Sequence, residues 1–176
     1  MLLNYTVEIQ EGYQKDLNKI AKFIQKVYDS KRGLTVLYNN KLRFKRVPLN
    51  SPANFHVKIT SNDDIKRICG FHLMSCADMV TNIIYLNYDR WWYGSPTFFH
   101  GLKPKDKKKQ LELYRIYLVN HETGHQLGFD HPPSSYSIGA DKPCSFMAQQ
   151  TINLHGGLAN PYPMVSDKKY NRYKRF

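Results

Sequence analysis

The sequence predicts a single α+β domain, and three observations lead to it. A length of 176 residues suits one domain with a genuine core. Period-two apolar patterns, the mark of half-buried strands, recur through the first half of the chain. Two longer stretches instead repeat their apolar residues at spacings of three and four, the mark of amphipathic helices. No internal repeat or low-complexity linker divides the chain. Residues 1–128 are expected to form an upper subdomain of sheet and helix, and 129–176 a short, irregular C-terminal lobe.

In residues 3–9, Leu3, Tyr5, Val7 and Ile9 point one way and Asn4, Thr6 and Glu8 the other, which predicts a strand. Leu17, Ile20, Phe23, Ile24 and Val27 then define a helix over roughly 14–29, closed by Gly33. LTVLY (34–38) and LRFKRV (42–47) are strand-like runs, and Asn39-Asn40 between them predicts a hairpin turn. FHVKI (55–59) alternates again, and NIIYLNY (82–88) reads as a more fully buried strand. A second helix spans roughly 108–126, with Pro104 and Asp106 near its start and Leu111, Tyr114, Leu118, His121 and His125 along one stripe. Beyond Gly128 the chain is rich in Pro, Gly, Ser and Asn, which predicts loops and short turns.

Composition narrows the partners. No run of about 18 apolar residues exists to span a membrane, and MLLNYTVEIQ lacks both the basic and the apolar region of a signal peptide. The net charge of +12 favours acidic partners. Much of it lies in two clusters: Lys103, Lys105, Lys107, Lys108 and Lys109 ahead of the second helix, and Lys168, Lys169, Arg172, Lys174 and Arg175 in the tail. A solvated helix start and a frayed terminus account for both. The tail also interleaves Tyr170, Tyr173 and Phe176 with cations, as a patch contacting nucleic acid or an acidic surface would. Of three cysteines, Cys69 and Cys76 are close enough in sequence for a short-loop disulfide, and Cys144 is left over.

The chemistry is concentrated in HETGHQLGFDH, residues 121–131, which holds three of the seven histidines and one of four glutamates. Random placement at this chain's frequencies gives that pattern on the order of once in 100,000 chains. On a helix, His121 and His125 share one face. Gly128 suits a left-handed residue that stops the helix and lets His131 return as a third ligand. Three neutral imidazoles leave a position open on Zn2+, as catalytic rather than structural zinc sites do. Glu122, beside the first ligand, can reach a water at that position and act as general base. His56, His72, His100 and His155 lack any such spacing and read as ordinary structural residues. Trp91, Trp92, Phe98 and Phe99 read as core.

The segment matches the metzincin signature H-E-x-x-H-x-x-G-x-x-H at all five fixed positions, so the chain resembles the metzincin zinc metalloproteases. Met147 in PCSFMAQQT, sixteen residues after His131, fits the Met-turn methionine of that family. VNHETGHQLGFDH, FMAQQT and NPYP, with ICG…SC and YLNYDRWW upstream, resemble an uncharacterised family of short, mostly secreted bacterial metzincin-like proteases. The resemblance implies a twisted mixed sheet backed by a helix, a zinc helix below it, and a sheet strand that pairs with an extended peptide substrate. FHVKI, with Asn54 before it, is the expected substrate-pairing strand. Several metzincins place a tyrosine just after the Met-turn; here Ala148, Gln149 and Gln150 follow, leaving Tyr136 and Tyr162 as loose candidates.

The activity so implied is zinc-dependent endoproteolysis of a peptide or protein, with Zn2+ on His121, His125 and His131 and Glu122 as base. The competing expectation is a structural or particle-associated, even viral, protein with an idle zinc site and a basic tail on nucleic acid or an acidic surface. A hydrolase of non-peptide amides is a third.

Overall fold

In the computed structural model, which describes residues 1–103, 105–173 and 175, five strands form one mixed sheet in the order β2-β1-β3-β5-β4. The strands are β1 (Leu2–Ile9), β2 (Arg43–Arg46), β3 (Phe55–Thr60), β4 (Cys76–Asp78) and β5 (Ile83–Asn87). All neighbours pair in parallel except β4 with β5. Parallel pairing requires crossovers. The first is α1 (Leu17–Tyr28), entered through a 3-10 turn over Gln14–Asp16; α2 (Asn62–Cys69) follows β3. After β5 come the short α3 (Tyr88–Tyr93) and α4 (Pro96–His100), then α5 (Lys107–Gln126). The chain is thus α+β, as its periodicities predict. Pro104, Lys174 and Phe176, named above at the helix start and in the tail, lie outside the described residues.

The core sits between the sheet and two helices, α1 packing on β1 and β2 and α5 on β4 and β5. The three-and-four repeat of α1 buries Ile20, Ala21, Ile24, Val27 and Tyr28. The alternation of β1 buries Leu3, Tyr5 and Val7. Between them Tyr28 stacks on Phe44 with centroids 4.2 Å apart and meets Tyr5 edge-on at 4.9 Å. Trp91 and Phe98 are buried, and Trp92 and Phe99 pack against the same core.

Two local expectations fail. LTVLY is not a strand but a 3-10 helix, Leu34–Tyr38, and no hairpin follows it. Asn39 and Asn40 do turn the chain, both in the left-handed region (φ 52° and 61°) that asparagine tolerates. They feed β2 into a parallel pairing with β1, Leu2 opposite Arg43. FHVKI is central, flanked by β1 and β5, so its backbone is already paired on both sides and cannot receive a peptide. The free edge on the α5 side belongs to β4. The disulfide does form, joining Cys69 at the end of α2 to Cys76 at the start of β4, and Cys144 is free and buried.

Candidate metal centre

The site is built on the C-terminal half of α5. The helix starts at Asp106, whose side chain accepts the Lys109 amide. It runs 20 residues, which sets the lysine run and the triad at opposite ends of a rod of roughly 30 Å. From Tyr117 to Gly124 every residue is buried. Tyr28 on α1 anchors this stretch, its hydroxyl 2.8 Å from that of Thr123.

The reversal after α5 is a Schellman motif. Gly128 is left-handed (φ 95°), its amide donating to the His125 carbonyl at 2.9 Å and the Phe129 amide to the Gly124 carbonyl at 2.9 Å. The turn brings His131 back to the helix. Its Nε2 lies 3.1 Å from Nε2 of His125 and 3.3 Å from Nε2 of His121. Three nitrogens held tetrahedrally at 2.0–2.1 Å from one ion stand about 3.3 Å apart, so the observed spacings match that geometry.

The tautomers follow from the outer contacts. Nδ1 of His121 is 2.9 Å from the Phe146 carbonyl, and Nδ1 of His125 is 3.0 Å from the Phe129 carbonyl. A carbonyl only accepts, so each Nδ1 carries the proton and each Nε2 turns a lone pair inward. Burial, then neighbouring imidazoles, hold His121 well below the usual histidine range; burial first, then His131, lowers His125 to about 4. Burial lowers His131 as well. Neutral imidazoles with converging lone pairs repel one another, and a cation between them removes that cost. Among the described residues this is the one group of His, Cys, Asp and Glu side chains close enough to hold an ion. His56 instead bonds Thr6, His72 approaches Asn62, and His155 packs on Tyr136.

Glu122 lines the same cavity, of about 400 Å3, as the three histidines. Burial raises its carboxyl to about 8. A cation on the triad would bring it down again. Phe71, Met74, Ser75, Cys76, Ala77 and Met79 line it too, so the first two residues of β4 border the cavity.

Met147 lies behind the triad, fully buried, with Phe146 against Gly124 of α5. The turn carrying it closes from the Ala148 amide to the Ser145 carbonyl at 3.0 Å. Two further residues hold this framework: Asp167, not singled out by any motif, and Arg172, read above only as one of the tail's cations. Asp167, buried, accepts the Met164 amide at 2.8 Å and bonds the Ser145 side chain and the Phe146 amide, bracing the peptide whose carbonyl takes His121. Arg172 pairs with Asp130 at 3.2 Å, and Asp130 also accepts the His131 amide at 2.7 Å. Asp167 lies 21 and 22 positions from Phe146 and Ser145, and Arg172 lies 42 from Asp130, so no local pattern announces these pairings.

The described residues of the tail are not frayed. Tyr170 is buried, its carbonyl accepts the Asp130 amide at 2.9 Å, and the Arg172 and Tyr173 amides both reach the Gly128 carbonyl at 3.0 and 3.2 Å. Lys168 donates to Asn39 and Arg175 to Asn82. Neither loose tyrosine candidate joins the cavity. The Tyr136 hydroxyl accepts the Ser145 amide, and Tyr162 carries Arg32 over its ring at 3.8 Å in a separate groove. Tyr117 does line the cavity, yet its hydroxyl is engaged by the Ala148 carbonyl and the Gln150 amide.

Fold and site together define an α+β protein with a histidine triad able to hold a metal ion. Residues 1–171 match the family described as "Protein of unknown function (DUF3152)", and the chain belongs to it. No curated protein matches the chain. No helix among the described residues is long and apolar enough to cross a membrane.

Proposed function

We propose that the protein is a zinc-dependent metalloendopeptidase of the metzincin kind. The observation that carries this reading is the convergence of His121, His125 and His131 on one point of a cavity that Glu122 also lines. Three nitrogens and an open fourth position suit Zn2+ chemistry, and the Met147 turn behind the helix is the companion feature the resemblance calls for. When bound, zinc would polarise the scissile carbonyl and acidify a water molecule.

The remaining work falls to this chain's own groups. The free side of β4 can take an extended peptide by strand addition, which lays its backbone along the cavity. The Glu122 carboxylate takes a proton from the attacking water and delivers it to the leaving amine. Phe146 and Phe129 carbonyls hold the His121 and His125 rings so that neither can rotate out of register. The alternative, a basic arm on nucleic acid beside an idle site, draws less support, since Lys168, Arg172 and Arg175 bond to Asn39, Asp130 and Asn82 within the chain.

Glu122→Gln tests the assignment. The variant should keep one zinc per chain while cleavage of a proteome-derived peptide pool falls by about 100- to 10,000-fold. Undiminished cleavage would remove Glu122, and with it the mechanism.

A further inference from the structure

Part of the cavity lining is apolar and open to solvent, and the metal chemistry does not use it. Phe71 is 54% exposed and Met79 37%, with Met74 and Ala77 completing the surface. Clustered apolar exposure of this kind marks a binding face rather than scattered surface noise. Its position points to the occupant: it runs into β4 and lines one cavity with the triad and Glu122.

Charge disfavours acidic and basic side chains. The chain carries 26 lysines and arginines, yet none of those described lines this cavity. An acidic side chain would therefore find no cation on the wall and would meet Asp130 and Glu122. A basic side chain would find Asp130 already paired with Arg172 and bonded to the His131 amide, and Glu122 committed to the attacking water in the proposed mechanism. An apolar side chain meets no such penalty and gains burial on every atom it inserts.

We propose that the segment from Phe71 to Met79 is a specificity wall, and that the site takes peptides bearing a large apolar residue (leucine, methionine or phenylalanine) next to the scissile bond. This rests on the peptidase reading above and names its substrate class. The thioethers of Met74 and Met79 adapt their shape, so the wall selects a class of side chain rather than one residue. The Cys69–Cys76 disulfide closes the loop that carries Phe71 and Met74 and ties it to the first residue of β4. The wall is thereby fixed relative to the strand that would hold the peptide.

The test uses the zinc-loaded full chain and a peptide set differing only at the positions flanking the cleaved bond. Peptides with leucine, methionine or phenylalanine should be cut with kcat/KM roughly 10- to 100-fold above alanine peptides, and glutamate peptides should be the poorest. In the Met74→Ser/Met79→Ser double variant that ratio should fall several-fold, zinc content serving as the check on folding. Cleavage without apolar preference, or a preference untouched in the double variant, overturns the wall. A zinc-loaded wild type that cuts no member of the set overturns the peptidase reading itself, a separate and recognisable result.

Discussion

Replacing Gly124 by alanine sets two well-known effects against each other. Alanine is about 1 kcal/mol better than glycine inside a helix, so propensity alone predicts a stabilised protein. The structure predicts the reverse. A Cβ on Gly124 would stand 2.5 Å from Met147 Sδ and 2.8 Å from Phe146 Cε2, against an ordinary contact of about 3.5–4.0 Å. Both side chains are fully buried, so neither has open space to move into. Overpacking of this degree costs about 1–3 kcal/mol. The net is a loss of about 1 kcal/mol, or a melting temperature lower by about 2–4 °C for a domain of this size. The displaced Phe146 peptide also supplies the carbonyl that holds His121, so zinc affinity should fall about tenfold or more. Circular dichroism melts of the metal-free protein and chelator competition for zinc measure the two effects separately. A higher melting temperature with unchanged zinc affinity would show that the Met147 turn does not press on the helix.

The metal-free protein should be most stable near pH 6.5. The depressed histidines stay neutral when folded but protonate near 6.5 when unfolded, so their contribution is lost as pH falls below 6.5, until about 4 for His125. Glu122, raised to about 8, keeps its proton when folded and loses it when unfolded, so stability declines as pH rises through 8, by about 2 kcal/mol from pH 6.5. Urea titrations should show the alkaline decline vanish in metal-free Glu122→Gln; a decline that persists would refute the burial argument. Deleting residues 171–176 should weaken zinc binding by about 10- to 100-fold, because the Gly128–Asp130 reversal loses its partners; Arg172→Ala alone should do less, the ion pair being half exposed. Equal zinc affinity in the truncated and full chains would show that the reversal holds itself.

Much of this was legible in residue order. The alternation around Tyr5 and the three-and-four repeats through Ile24 and Tyr114 are set by burial on one face, and burial is what the core imposes. The HETGH pair and Gly128 were legible because a helix and a left-handed glycine are local. LTVLY misled because its β-branched, apolar residues suit a strand equally; the chain instead buries Leu34, Thr35 and Leu37 in a tight turn. α2 went unseen because its polar sequence buries Ile65 alone, and α3 and α4 because one or two turns capped by Asn87 and Ser95 leave no period to read. The roles of Asp167 and Arg172, and the identity of the edge strand, depend on pairing across the fold.

Because residues 170–173 close over the Gly128–Asp130 loop, order of synthesis matters. Helix α5 and all five strands emerge before the segment that locks His131 in place. A chain made past His131 but not yet to Tyr170 therefore carries every histidine of the triad and lacks the clasp.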